Sequence, residues 1–359
     1  MKIVTTIIAI VLGLGLNAMA MGKDSEHLPQ RIKPTAKKIA YIGRFSDDFR
    51  CGWPGSTIKF RFSGTAVGGA FELTHRKKSS IQVIVDGRAT KVLHLTPKQQ
   101  FYMLADKLPA GDHIVELWKQ EEGYLSEIKF LGLYLEPKAR LLSVKRYKRR
   151  ILIIGDSITC GFGNMATKQG DGNNADTENS YLAYGPVAAR QLNSEIVIIA
   201  RSGRGIYRNN SLKNDTINTM PQLFARTLPL RTKPRWNHQN YIPQLIIINL
   251  GTNDLSRGKG GVKPELAEKD FTTAYNKFLA RLNKLYPQAK VILAFGPMRQ
   301  QPVSQWLQNI AAKGDNAIYL EFPRLKGKEH FGAYGHPSVK MDRIMAAHLA
   351  KQAKQLMNW

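Results

Sequence analysis

Two hydrophobic patterns divide this chain. Between about residues 40 and 135, apolar positions alternate with polar ones in short runs, clearest at 57–62, 80–85 and 113–118. Turn residues at Asp86-Gly87 and Ala110-Gly111 separate them. About eight such runs without helical periodicity predict a β-sandwich. From Ile151 onward the runs become continuously apolar, at 151–154, 195–200, 245–250, 291–295 and 317–322. Helical stripes lie between and after them: Phe271, Tyr275, Phe278, Leu279 and Leu282 in one, Met341, Ile344, Met345 and Leu349 in another. Strands buried on both faces and alternating with helices predict a parallel sheet sandwiched by helices, with any ligand at the strands' carboxyl ends.

Between the two patterns, residues 138–150 carry seven Lys or Arg in thirteen positions and read as a basic linker. The chain thus divides into a sandwich at 21–137, the linker, and an α/β domain at 151–359. Residues 1–20 stand apart: a basic start at Lys2, an apolar run from Ile3 to Leu16, and Ala18-Met19-Ala20 predict a signal peptide cut after Ala20, hence a secreted or periplasmic protein. The apolar run is shorter than the roughly twenty residues a bilayer requires.

The net charge of +26 favours anionic partners. Basic residues are spread along the whole chain, however, and no finger, helix-turn-helix or aromatic RNA-binding pattern accompanies them, so nucleic acid is not expected. Weak adhesion to acidic surfaces is the general consequence. Cys51 and Cys160 allow at most one disulfide, and the eight histidines form no metal-type spacing with them.

Candidate chemistry clusters just after predicted strands. Ser157, in Gly155-Asp156-Ser157-Ile158, follows the first parallel strand; on its own it is as well explained as a helix cap. Gly203 and Gly205 punctuate a turn after the second, where backbone N–H groups can approach a ligand. Asn253, in Gly251-Thr252-Asn253-Asp254, follows the third and offers a neutral donor. His336, immediately before Pro337, sits in a non-helical turn ahead of the last helix. A nucleophile, a base and oxyanion donors in this order suit acyl transfer, with no metal or organic cofactor required. Two tryptophans, Trp53 in Trp53-Pro54-Gly55-Ser56 and Trp236 ahead of the third strand, either stack on a sugar ring or fill a core; Tyr124 is open in the same way.

Together these blocks resemble the SGNH, or GDSL-like, hydrolases. Ser157 matches their nucleophile, Gly205 or Gly203 their oxyanion glycine, Asn253 their asparagine and His336 their base. The sandwich, the Trp53 loop, Ile154-Gly155-Asp156-Ser157-Ile158-Thr159-Cys160-Gly161-Phe162-Gly163, Glu178-Asn179-Ser180-Tyr181 and the stretch from Gly203 to Asn209 make the chain similar to carbohydrate esterase family 2 in particular. The resemblance implies a jelly-roll domain before a flavodoxin-like hydrolase domain, and removal of O-acetyl groups from polysaccharides or oligosaccharides of xylan or mannan type. One position departs: Ala333 stands where most SGNH hydrolases carry the aspartate that orients the base. The resemblance then implies a Ser–His dyad with a backbone carbonyl in the acid's place; a distant acid is the alternative. Two rivals remain at this level, an inactive SGNH scaffold that binds carbohydrate and an esterase of lipid or peptidoglycan sugars.

Overall fold

The computed structural model describes residues 27–359 apart from 75–77, 212, 257–262, 299–300 and 315. The expected signal peptide lies outside the described residues. Eleven strands come first: β1 (Gln30–Ile32), β2 (Ala40–Ile42), β3 (Arg50–Cys51), β4 (Thr57–Gly64), β5 (Val67–Leu73), β6 (Ser79–Val85), β7 (Arg88–Leu95), β8 (Phe101–Ala105), β9 (Gly111–Lys119), β10 (Ile128–Leu135) and β11 (Arg140–Leu142). All pair antiparallel, in one sheet ordered β1-β10-β5-β8 with β3 on β10, and a second ordered β11-β4-β9-β6-β7 with β2 on β4. The period of two explains the core. Ile58, Phe60 and Phe62 of β4 meet Val115 and Leu117 of β9 and the inward residues of β5 and β10. Asp86 and Gly87, with φ of 50° and 78°, make the tight β6–β7 turn that an Asp-Gly pair favours.

The basic stretch 138–150 is not a plain linker. Residues 140–142 form β11 along the outer edge of β4, and Arg149 and Arg150 already belong to the first parallel strand. Charge masked the strand because only Leu141 of β11 turns inward.

That first parallel strand is β12 (Arg149–Gly155), followed by α1 (Ser157–Cys160), α2 (Tyr184–Gln191), β13 (Ser194–Ala200), α3 (Met220–Leu223), β14 (Leu245–Asn249), α4 (Glu268–Leu285), β15 (Lys290–Phe295), α5 (Val303–Ala312), β16 (Ala317–Glu321) and α6 (Val339–Met357). The sheet order β13-β12-β14-β15-β16 is the flavodoxin-like one. Ile151 and Ile153 face α2 and α6, whereas Leu152 and Ile154 face α4 and α5. Both faces are covered, which is why the strands read as unbroken apolar runs.

Trp53 does not present a ring to solvent, contrary to one sequence expectation. It is 1% exposed, packs with the α4-side core, and its indole N–H donates to Thr227 O at 2.9 Å. Its loop therefore fastens the sandwich to the α/β domain. Trp118, whose indole donates to Ser180 Oγ at 3.0 Å, makes a second such contact. Cys51 and Cys160 are both free and buried. No helix of the described residues is long and apolar enough to cross a membrane.

Candidate active site

Strand order reverses at β12, the point where open parallel sheets leave a crevice for ligands beyond the strands' carboxyl ends, and Ser157 stands there as the first residue of α1. Gly155 is obligatory, because a Cβ on it would collide with the Thr159 side chain. Asp156 caps the short helix, its Oδ1 accepting from the Ile158 amide at 3.0 Å, and Gly161 ends it in the left-handed region at φ 76°. The Ser157 N–H, in the first helical turn, finds no acceptor among the described residues.

His336 lies 179 residues further along the chain, with Nε2 2.8 Å from Ser157 Oγ. Its Nδ1 is 3.1 Å from Ala333 O. A carbonyl only accepts, so the proton resides on Nδ1 and the Nε2 lone pair faces the serine hydroxyl. The ring stacks on Phe162, centroids 4.3 Å apart. Burial lowers the imidazole pKa to about 4, against the opposing pull of the Ala333 and Tyr334 backbone. At neutral pH the ring is an uncharged proton acceptor. No carboxylate contacts it among the described residues; the Ala333 carbonyl occupies the orienting position.

The histidine turn is fixed from below. Ala333 N donates to Gly163 O at 3.0 Å, and Val339 N to Asn164 O at 3.1 Å. Asn164 in turn donates to Asp342 Oδ2 at 2.9 Å, while Asp342 Oδ1 accepts from Tyr184 N at 3.0 Å. The loop after the nucleophile thereby sets where the base stands.

The expected oxyanion donors belong to loops tied to the nucleophile turn, and they are not idle. Asp254 accepts from Ile206, Tyr207 and Arg208 amides at 3.0, 2.8 and 2.9 Å, drawing in a loop in which Gly205 leaves no room for a Cβ. The Gly205 N–H faces Asn209 Oδ1 at a loose 3.3 Å. Asn253 Nδ2 donates to Asp156 Oδ2 and to Arg204 O, both at 3.0 Å. Asn253 thus ties the nucleophile turn to the glycine turn.

The sandwich reaches the same crevice through Glu122. Its carboxylate takes the Ser202 hydroxyl and, at 2.8 Å, the Ser202 amide, and its own N–H donates to Glu178 Oε1 at 2.6 Å. Glu178 also accepts from Asn173, whose Oδ1 receives the Gly163 N–H at 2.7 Å. Burial raises both acids, Glu122 to about 7. Cys160 joins them, with ligand-type atoms mutually within 4.8 Å. Those carboxylates already carry protein hydrogen bonds, and the cluster pins the loops on either side of Ser157.

With this geometry in view, comparison with known proteins is decisive. A model described as "Carbohydrate esterase 2 N-terminal" matches residues 41–144, and one described as "GDSL-like Lipase/Acylhydrolase family" matches residues 153–344. The chain belongs to the GDSL-like hydrolases of carbohydrate esterase family 2. A cellulase/esterase, CelE, of Acetivibrio thermocellus is 32% identical over 89% of this chain; the chain spans 40% of that relative's length. An acetylxylan esterase / glucomannan deacetylase of Cellvibrio japonicus is 29% identical, with 84% of each chain covered. A family two carbohydrate esterase from Clostridium thermocellum, solved in complex with cellohexaose, superposes with a TM-score of 0.82 at 30% identity, covering 89% of this chain and 99% of that one.

Within this family 2 hydrolase, Trp236 is not found at the dyad. It is half-buried against the α4-side core, with Arg44 5.4 Å from its ring centroid. Among the described residues neither Trp236 nor Trp53 makes a ring or hydrogen-bond contact with Ser157 or His336. Tyr334 is the aromatic that the sequence reading passed over. It is 62% exposed, two residues before His336, and held at φ 50°. Its only sequence signal was adjacency to the histidine. Tyr124 is half-buried and accepts from Asn173 at 3.0 Å. Beyond Tyr334, Leu255, Met298, Leu325, Phe331 and Gly335 help line an open groove of about 620 Å³.

Proposed function

We propose that this protein is a carbohydrate O-acetyl esterase acting on acetylated polysaccharide or oligosaccharide of xylan or mannan type through a Ser157–His336 dyad. The 2.8 Å approach of a neutral, carbonyl-oriented imidazole to a hydroxyl at a helix N-terminus carries the proposal. His336 Nε2 takes the Ser157 proton as Oγ attacks the acetyl carbonyl. The resulting oxyanion draws on the unengaged Ser157 N–H, on the loosely held Gly205 N–H, and on the Asn253 amide, which exchanges one of its two 3.0 Å bonds for the stronger acceptor. The imidazolium then protonates the departing sugar oxygen, an acetyl-serine remains, and water activated by the same nitrogen releases acetate.

Tyr334, in place of either tryptophan, offers the sugar a stacking face at the crevice rim. Export to the periplasm or beyond, after cleavage at Ala20, belongs to the same proposal; amino-terminal sequencing of the mature protein tests it. Activity is tested by acetate release from acetylated xylan and glucomannan, alongside 4-nitrophenyl acetate. Ser157→Ala is expected to lose about 10³-fold or more. Turnover by that variant at the wild-type rate overturns the proposal and leaves a binding protein.

A further inference from the structure

The turn that supplies Gly205 also brings guanidinium groups to the crevice. Arg201 N donates to Gly155 O at 3.3 Å, two residues before the nucleophile, and Arg204 O receives the Asn253 amide at 3.0 Å. Both side chains are half-buried, as is Arg226. Backbone geometry brings the three segments together: Arg204 N donates to Arg201 O at 3.3 Å within one turn, and Arg226 Nη2 is bonded to Asn218, two residues before Met220, whose N–H donates to Gly205 O at 2.9 Å. Burial first, and mutual repulsion after it, lower Arg204 and Arg226. Two carboxylates stand near them. Asp215 is engaged by Asn209 Nδ2 and Ile217 N, at 3.0 and 2.9 Å, and Glu122 is wholly buried on Ser202.

Arg204 is under-satisfied. Its Nη1 lies 3.8 Å from Asp215 Oδ2, too far for a hydrogen bond, and its buried Nε has no acceptor among the described residues. Arg226 spends its donors on the neutral Pro229 O and Asn218 Oδ1. No carboxylate stands within ion-pair distance of Arg201 among the described residues. The turn bonded through its backbone to Gly155 and Asn253 thus carries two guanidinium groups, with Arg226 near it, and of the two nearby carboxylates only Asp215 comes within 4 Å of any of the three. A planar, two-oxygen anion is what such forks accept best.

We propose that Arg201, Arg204 and Arg226 form an anion subsite beside the ester crevice, which takes the carboxylate of a uronic acid unit in the acetylated glycan. The proposal rests on the esterase reading for the acetyl group but not for the carboxylate. The subsite is on the β13 side of Ser157, whereas the open groove beyond Gly335 is on the other side. A glycan threaded across the nucleophile would meet the arginines a residue or two from the acetylated sugar.

The test is calorimetric titration of the full chain carrying Ser157→Ala, so that nothing turns over, with hexagalacturonate and with the neutral cellohexaose. At 50 mM salt the uronate is expected to bind at least about tenfold more tightly, a preference that shrinks at 300 mM. Adding Arg201→Gln with Arg204→Gln removes most of that preference. The charge-keeping pair Arg201→Lys and Arg204→Lys retains part of it, and serves in its place should the Gln pair fail to fold. Lys351→Gln with Lys354→Gln, exposed near the far end of α6, changes it less than about twofold. No uronate preference, or an equal loss in the lysine and arginine pairs, overturns the subsite and leaves only the bulk field of a +26 chain. Failure of the esterase reading shows instead in acetate release, which this titration does not use.

Discussion

Gly163→Ala should disable the enzyme without touching either member of the dyad. Gly163 has φ 56°, and a Cβ there would fall about 1 Å short of ordinary contact with the Ala333 Cβ, with the Ala333 N and Cα also crowded at 3.2 and 3.3 Å. Ala333 is the residue whose carbonyl orients His336 and whose N–H is bonded to Gly163 O, so the two loops cannot part without breaking that bond. The turn has to move by about 1 Å, and a misplacement of that size costs on the order of 10²-fold in rate. The left-handed backbone adds about 1 kcal/mol of destabilisation for any residue with a Cβ. The assay is kcat on 4-nitrophenyl acetate, with thermal unfolding as a check. Pairing the change with Ala333→Gly removes the opposing methyl and should recover at least about tenfold, a coupling that a general loss of stability would not produce. Activity of Gly163→Ala within about threefold of wild type, in a normally folded protein, would refute the idea that this loop contact positions the base.

Three further outcomes follow from the same structure. Because His336 must be neutral and titrates near 4, kcat/KM should stay level from about pH 5.5 to 8 and fall tenfold per unit below about pH 4; a midpoint between 6 and 7 contradicts the burial argument. The sign for stability is the same: between about 6.5 and 4 the unfolded chain binds a proton that folded His336 refuses, so its contribution is lost as pH drops through that window. Trp53→Ala should cost about 3–5 kcal/mol in urea unfolding, since it empties a core position and strands Thr227 O, with a smaller effect on substrate affinity than on stability; the reverse ranking would restore a sugar-binding role. Tyr334→Ala should lower kcat/KM on acetylated glycan by roughly tenfold relative to that on 4-nitrophenyl acetate, whereas Tyr334→Phe keeps the ratio; equal losses on both substrates would make the tyrosine merely structural.

The periodicity of the chain by itself determined the two architectures, because a strand covered on both faces needs apolar residues at every position and a sandwich strand at every second one. The order of the blocks around Ser157, Gly205, Asn253 and His336 was legible for a similar reason: each must follow a strand of the parallel sheet, and strand ends are marked by glycine and small polar residues. Tertiary structure alone decided what joins them. Glu122 comes from the sandwich to hold Ser202, Asp342 reaches Asn164 from 178 residues away, and a backbone carbonyl takes the aspartate's place behind His336. None of these has a local pattern, since a buried carboxylate or a main-chain oxygen needs only a donor at hydrogen-bond distance, whatever its place in the chain. The two tryptophans show the limit from the other side. Indole suits a sugar and a core equally well, and only packing put Trp53 in the domain junction and left Tyr334 exposed two residues before His336.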